Sequence, residues 1–497
     1  MAEHTVRLSD LGAAEISVTG VALDSRQVRA GELYAALPGQ HTHGARFAGQ
    51  ALARGAVAVL TDEEGRQLVP PGVPVIVVDD PRAALAWVAA AANGEPATSM
   101  RMFGVTGTAG KTSTVFLLDA ALGALGETVG TLGTIGFRLG GRPIERDRST
   151  ITTPEAPDLQ ELLAQLRDAG ATSVAMEVSS HALALRRVGG ITFDVAGFTN
   201  LGRDHLDFHH DLEDYFAAKS ELFLDGRSRA CVVNVDGEWG GRLAGLIGAE
   251  GTPLLTVGTV GDAAADFRLL ASTSRASGSE VRAATPVGEL SFTVGLPGSF
   301  NAANALLAAA MVHAAGLDVE RAVTGFATAA VPGRMQPVAL GKGAPHAVVD
   351  FAHTPESVAA ALAALPQPRI AVLGAGGDRD PSKRGPMGAA AAANAEVVVV
   401  TDDNPRSEPP AAIRAAVLEG ARAQGSAEVL DGGDRRSAIG LALGRAGADT
   451  WVAVLGKGHE TGQDVGGVIS PFEDVQVIAE EWRRLRGLDP GGSATGA

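Results

Sequence analysis

The stretch Phe103-Gly-Val-Thr-Gly-Thr-Ala-Gly-Lys-Thr-Ser113 decides how this chain is read. Met102 to Val105 is apolar and reads as a buried strand. It breaks into a glycine-rich turn that closes on Lys111-Thr112, and a helix-like run from Ser113 to Leu125 follows. That order suits a nucleoside triphosphate. Glycines let backbone N–H groups converge on phosphate oxygens, and a helix N-terminus adds positive potential. Lys111 can reach the outer phosphates, and the Thr112 hydroxyl can hold Mg²⁺. The spacing is a variant, Gly104-x-x-Gly107-x-x-Gly110-Lys-Thr, with Val105 where the common pattern has glycine. The same residues also suit a plain glycine-rich strand–helix turn.

With 497 residues the chain is too long for one core, and about three domains of ~150 residues are expected. Hydrophobic content is 45% and charged content 20%, as in an ordinary soluble globular protein. The net charge of −16, without a Lys/Arg run, argues against nucleic acid as a partner. Cys231 is the only cysteine, so no intrachain disulfide or thiolate cluster can form, which fits a reducing compartment. MAEHTVRLSD lacks an apolar core of signal-peptide length. The Ala-rich run Ala302 to Ala315 is too short and interrupted to span a membrane. A cytoplasmic protein without membrane insertion is expected.

Working outward, residues 1 to 98 alternate short apolar runs (Ala56–Leu60, Val75–Val78) with Ala-rich helical stretches, and Asn93–Ser99 reads as a linker. From residue 100 a strand–loop–helix pattern repeats. Strands are expected at Ser173–Val178, Phe193–Phe198 and Cys231–Asn234, with a helix over Asp158–Asp168. Residues 265–295 read as a small antiparallel patch, followed by helices over Asn301–Ala315 and Val319–Ala330 and a break at Val331–Arg334. A third block has strands at Ala347–Asp350, Ile370–Leu373, Val397–Thr401 and Trp451–Leu455. Each runs into Gly, Asp, His or Asn, and ligands of open parallel sheets sit beyond strand C-termini. The tail Asp489–Ala497 is expected to be disordered.

Several groups along these strand ends carry chemistry. Glu177 closes its strand and is placed to hold Mg²⁺ beside the phosphate loop, or to cap the next helix. Asn200 to His210 packs two Asp and three His into residues 204–210 of a chain with 11 His; it suits metal or phosphate work, or an exposed polar loop. Lys219 lies on an apparent helix, where a lone lysine is usually solvated. Arg379 in Gly374–Asp380 and Arg406 in Thr401–Arg406 could clamp a carboxylate. Glu460 in Gly456-Lys-Gly-His-Glu could receive an ammonium group. Two arginines and a glutamate at adjacent strand ends suit an amino-acid zwitterion, or else turn chemistry with surface charge.

Taken in order, Thr106-Gly-Thr-Ala-Gly-Lys-Thr112, Glu177-Val-Ser-Ser-His181, Asp204-His-Leu-Asp207, Ala218-Lys219, Phe300-Asn-Ala-Ala-Asn304, Gly333-Arg-Met335 and Asp350-Phe-Ala-His353 resemble the Mur ligases, ATP-dependent amide ligases of peptidoglycan assembly. The resemblance runs over nearly the whole chain. Leu23-Asp-Ser-Arg26 with Gly31–Ala35 looks like the family's UDP-binding domain. Thr152-Thr-Pro154, Asp403-Asn-Pro-Arg406 and Gly456–Glu460 make the chain most similar to the ligases that add the third peptide residue.

The resemblance implies an α/β protein of three domains. These are an N-terminal UDP-binding α/β domain (1–98), a central P-loop ATPase-like parallel-sheet domain (99–332) and a C-terminal Rossmann-like α/β domain (333–497). It implies that Gly107, Thr108, Ala109, Gly110, Lys111, Thr112 and Ser113, with Asn301, Arg334 and Asp350, bind ATP. Lys111, Glu177, His205 and Lys219 are then catalytic. Thr112, Glu177, His205 and a carbamylated Lys219 are implied at Mg²⁺. Ser25, Thr152, Thr153, Ser179 and Arg187 are implied at a UDP-N-acetylmuramoyl dipeptide. Arg379, Asp403, Asn404, Pro405, Arg406, Gly456 and Glu460 are implied at the incoming amino acid. Ala109 stands where relatives often have Asn, Leu185 where some have Gln, and Ser407–Pro410 departs slightly from the usual continuation.

The implied chemistry is transfer of the γ-phosphoryl of ATP to a carboxylate, then attack of an amine on the acyl phosphate. Water must be excluded, so closure about Val331–Arg334 is expected. Arg406 favours meso-diaminopimelate, whose distal carboxylate needs a partner; L-lysine or ornithine is the alternative. Folylpolyglutamate synthase, the ligase adding D-Ala-D-Ala, and a non-catalytic nucleotide-binding scaffold are the other readings. The UDP-domain motif, Asp403–Arg406 and the set Lys111, Glu177, His205 and Lys219 argue against them in turn. A monomer is expected.

Overall fold

The computed structural model describes residues 6–11, 13–39, 42–144, 152–202, 204, 208–260, 264–275 and 278–487. His205 and the tail after residue 487 therefore lie outside the described residues. The described residues fall into two compact units, one made of those within 1–269, 283–290 and 303–325, the other of those within 270–282, 291–302 and 326–487. Among the described residues three main sheets carry a three-domain α/β architecture.

In the first unit, strands Val21–Ala22, Leu33–Ala35, Ala58–Thr61 and Val75–Val77 form a four-stranded parallel sheet in chain order. Ala58–Thr61 is buried along its whole length, as a parallel strand covered on both faces must be. Leu33, Leu60 and Ile76 pack with Leu85 and Val88 of the helix Pro81–Ala92 on one side. Tyr34 and Val59 pack with Ala48 and Ala51 on the other. Asp80 caps that helix by accepting from the N–H groups of Arg82 and Ala83, and Pro81 supplies a preset φ in its first turn.

The second sheet of this unit runs, by strand, Val129–Gly133, Ser173–Glu177, Arg101–Thr106, Phe193–Phe198, Ser228–Asn234 and Leu254–Gly258, all parallel. Strands Gly136–Leu139 and Arg142–Pro143 extend it antiparallel at one edge. The chain leaves Arg101–Thr106 first toward one edge and later toward the other. The phosphate-loop strand is therefore the point where strand order reverses, and crevices open there at strand C-termini. Register sets Glu177 level with Val105, and Phe198 level with Thr106. Both flanking loops thus emerge beside the glycine turn.

The strands expected from the sequence are present within a few residues. The helix after the glycine turn begins earlier than expected, at Lys111, and runs to Ala124. Three successive strands, Phe267–Arg275, Gly278–Thr285 and Gly288–Val294, occupy the Thr/Ser/Val-rich stretch. The helix expected over Val319–Ala330 is only Val319–Ala322, followed by a tighter 3-10 run, Val323–Thr328. Within that run Gly325 packs closely against Ala120, where a Cβ would strike the carbonyl.

In the second unit a six-stranded sheet has the order Gln336–Val338, His346–Asp350, Trp451–Leu455, Arg369–Leu373, Val397–Thr401 and Glu428–Gly433. The first pair is antiparallel and the rest parallel. Helices Pro355–Ala363, Arg384–Asn394 and Pro410–Gln424 cover one face through Val358, Leu362, Met387 and Val417. Helices Arg435–Arg445 and Asp474–Leu485 cover the other through Ile439, Leu443 and Ile478. Asp350, Leu455 and Leu373 are level, so the loops after them share one edge. No described helix is long and apolar enough to cross a membrane.

Candidate active site

The glycine turn is shaped by two left-handed residues, Gly107 (φ +144°) and Gly110 (φ +89°). A Cβ on Gly107 would collide with Thr199 Oγ1, and one on Gly110 with Asn304 Oδ1, so only glycine fits either place. The turn is braced from the neighbouring strand end. Thr108 N donates to Asn200 O (2.9 Å), Ala109 N to Asn200 Oδ1 (3.0 Å), and Thr199 Oγ1 to Ala109 O (2.6 Å). Gly110 offers no side-chain cap to the helix it starts. A helix start without a side-chain cap suits an anion at its first turn.

Two lysines converge on this turn. Lys111 Nζ donates to the carbonyls of Gly107 (2.8 Å) and Thr108 (3.0 Å), acceptors with which phosphate oxygens would compete for its ammonium. Lys219, only 1% exposed, donates to the same Gly107 carbonyl (2.9 Å) and lies 4.5 Å from the Tyr215 ring centroid. Lys219 is thus a buried amine, and the solvated surface lysine that a lone helix suggests is ruled out. Burial, reinforced by the Lys111 charge and opposed by Asp204, holds it well below the usual lysine range.

Glu177 stands on the other flank. Its Oε1 accepts from Thr112 Oγ1 (3.0 Å) and Thr134 N (2.9 Å), and its Oε2 from Thr134 Oγ1 (3.1 Å). The next helix is capped by Ser179, whose Oγ accepts from Ala182 N, so Glu177 is free of capping work. Thr112 and Glu177 are both buried and offer oxygen donors only, the chemistry Mg²⁺ selects. Among the described residues no three His, Cys, Asp or Glu side chains gather as a metal-binding group.

Four of the five residues expected at a UDP-linked peptide are neighbours. Thr153 Oγ1 donates to Glu177 O (2.9 Å) and accepts from Ser179 N (3.2 Å). Arg187 donates to Thr153 O (3.1 Å) and pairs with Glu155 (2.7 Å). Thr152 Oγ1 lies 3.2 Å from Thr134 Oγ1, which links this group to Glu177. Ser25 stands apart, in the turn after Val21–Ala22, donating to Gln50 (2.7 Å).

In the second unit Asp350 accepts from Met335 N (2.7 Å) and Ala352 N (2.8 Å), while the Arg334 guanidinium lies 4.7 Å from the Phe351 ring centroid. Burial pushes the Asp350 carboxyl up, against the pull of the Arg334 charge. Asn301 Nδ2 donates to Pro297 O (2.7 Å). At the shared strand edge, Gly376 brings two arginines together. A Cβ there would stand 3.0 Å from Arg406 Nη1 and 3.7 Å from Arg379 Cγ. Arg406 holds a left-handed φ of +50°, costly for a non-glycine residue, and donates to Gly377 O (2.8 Å). Asn404 Nδ2 donates to Glu460 Oε2 (2.7 Å). Asp403 accepts from Asn404 N (2.7 Å) and lies against Gly456. The Pro405 carbonyl lies against Gly377, so Pro405 belongs to the same cluster.

Sequence reasoning missed Thr134, Asn200, Tyr215, Asn304 and Lys457. Each acts by holding a residue it did identify. Asn200, Asn304 and Lys457 had a signal, since each lies inside a stretch quoted above.

Three family models match the chain: Mur ligase family, catalytic domain, over residues 17–93; Mur ligase middle domain, over 105–312; and Mur ligase, glutamate ligase domain, over 333–458. A Streptomyces coelicolor protein named UDP-N-acetylmuramoyl-L-alanyl-D-glutamate--2,6-diaminopimelate ligase is 46% identical, over 96% of this chain and 94% of its own. A UDP-N-acetylmuramyl-tripeptide synthetase of Leifsonia xyli subsp. xyli is 44% identical, over 94% and 92%. A solved structure of a UDP-N-acetylmuramoyl-L-alanyl-D-glutamate--2,6-diaminopimelate ligase is 29% identical, superimposes with a TM-score of 0.71, and covers 97% of this chain and 99% of its own. The motifs, the three sheets and these end-to-end matches agree: the chain belongs to the Mur ligase family and is a ligase.

Proposed function

We propose that this ligase uses ATP to join meso-diaminopimelate to the terminal carboxylate of UDP-N-acetylmuramoyl-L-Ala-D-Glu, a cytoplasmic step of peptidoglycan precursor synthesis. The observation that carries the reading is the convergence of Lys111, Thr112, Glu177 and Lys219 on one glycine turn. It occurs in a chain that matches relatives of that name over 96% of its length. The domain limits near residues 98 and 332 and the monomeric state belong to the same proposal.

The residues suit the steps. A carboxylate oxygen of the dipeptide attacks the γ-phosphorus and ADP leaves. The acceptor amine then attacks the acyl carbon, loses a proton, and expels phosphate. Lys111 and the uncapped helix N-terminus offset charge on the polyphosphate. Thr153, Ser179 and Arg187, already fastened to each other and to Glu155, orient the dipeptide. Arg379 and Arg406 suit the acceptor's distal carboxylate, and Glu460 an ammonium group. Thr112 and Glu177, with His205 and a carbamylated Lys219, would hold Mg²⁺, which screens phosphate charge during transfer. Arg334 and Asp350 are assigned to the nucleotide, as is Asn301.

The test is phosphate release from ATP with the UDP-linked dipeptide, offering diaminopimelate, L-lysine and L-ornithine separately. Release with diaminopimelate alone is expected. Release only with lysine or ornithine would overturn the acceptor assignment, and silence with all three would overturn the ligation.

A further inference from the structure

Lys457 is wholly buried, yet no step above uses it. Its three ammonium donors are all engaged: Glu460 Oε2 at 2.9 Å, Asn404 Oδ1 at 3.2 Å and the Gly462 carbonyl at 2.6 Å. A buried ammonium is tolerable only when each donor finds an acceptor and a counter-charge is near. Here the counter-charge and two of the three acceptors come from residues already assigned to the acceptor amino acid, Glu460 and Asn404.

The consequences reach both neighbours. Glu460 Oε2 takes bonds from Lys457 and from Asn404 Nδ2, whereas its Oε1 has no hydrogen bond among the described residues. The side chain is about one-third exposed. One oxygen is pinned and the other is offered outward. Asn404 Oδ1 is saturated by Lys457 and by Asp464 N (3.0 Å), which fixes the carboxamide with its NH₂ toward Glu460. The Gly462 bond ties the same ammonium to the hairpin Gly462–Val465 and Val468–Pro471. That hairpin in turn holds Arg406, through Arg406 N to Asp464 O (3.1 Å) and Gly466 N to Arg406 O (2.7 Å).

We propose that Lys457 is a positioning residue for the acceptor amino acid. By pinning Glu460 Oε2 and Asn404 Oδ1 it presents Glu460 Oε1 to the acceptor's ammonium group. The inference rests on the acceptor site assigned above and adds to it the residue that sets its charge polarity. A purely structural lysine would stitch the hairpin and leave acceptor affinity to Glu460 alone.

Lys457→Met keeps the apolar stem and removes the ammonium. Initial rates with the full chain should show KM for the acceptor raised about 10- to 100-fold, the range for losing a charge-assisted hydrogen bond. The kcat at saturating acceptor and KM for ATP and the UDP-linked dipeptide should stay within about threefold. Equal deterioration of all three KM values and kcat would overturn the proposal, as would an unchanged acceptor KM. The double variant Lys457→Met/Glu460→Gln removes both charges, so it is tested even if the single variant does not fold. Its acceptor KM should equal that of Glu460→Gln alone, because the lysine acts through the glutamate. Multiplying effects would overturn it. The wild-type rate judges the acceptor assignment independently: were lysine the true acceptor, the variants would be read on the lysine KM.

Discussion

Lys219 illustrates how one residue changes meaning with its surroundings. On the sequence it is one polar letter in a helix. In the fold it is buried, shares a carbonyl with Lys111, and is held below the usual lysine range chiefly by burial. An ordinary lysine stays an ammonium to about pH 10, whereas the depressed group exposes its neutral amine at lower pH. A neutral amine adds carbon dioxide, forming a carbamate and releasing one proton, and acid reverses the step. Protein equilibrated with ¹³C-bicarbonate should therefore show a carbamate carbon resonance that fades as pH falls and is missing from Lys219→Ala. That variant should lose about 10²- to 10³-fold in kcat, the scale for one electrostatic group at a transition state. Short carboxylic acids should restore part of it. Undiminished turnover in Lys219→Ala would reject the role.

At the scale of an element, the helix Lys111–Ala124 has one glycine at its N-cap and one inside it, with opposite prospects. Gly110 holds φ +89° just before it, with Asn304 Oδ1 where a Cβ would stand. Gly110→Ala should destabilise by about 1–2 kcal/mol from the left-handed backbone alone and raise KM for ATP, because the turn must shift. Gly123 lies on the exposed side with nothing near the place of a Cβ. Gly123→Ala should stabilise by about 0.5–1 kcal/mol and leave kinetics alone. Denaturant titration of both variants checks the pair of signs. Matching signs would mean that the turn tolerates a side chain and that its shape matters less than its lysine.

Across the whole molecule, the described residues form two compact units with separate cores. The residues proposed for the UDP-linked dipeptide lie in the first and those proposed for the acceptor in the second. Calorimetric unfolding should depart from two-state behaviour, with a van't Hoff enthalpy below the calorimetric one. The UDP-linked dipeptide should raise the transition of one component first, by about 2.7 kcal/mol at a hundred times its dissociation constant. One transition that shifts as a whole with either ligand would show the units to be a single cooperative body.

The sequence by itself determined the elements and the chemistry that depends on neighbours along the chain. The glycine turn, the polar ends of Val397–Thr401 and Trp451–Leu455, and the ordered motifs needed only local spacing. That is why strand positions and the phosphate loop were legible, whereas the run after Val319–Ala322 packs Gly325 against a carbonyl of a helix distant in the chain, a contact that spacing does not encode. Tertiary structure alone decided which letters act together. Glu177 meets Thr112 and Thr134 because strand order reverses at Arg101–Thr106, and Lys219 meets Gly107 across more than a hundred residues. Lys457 becomes a hub because two parallel strands end level. Burial and partnership are properties of space, and spacing along the chain does not encode them.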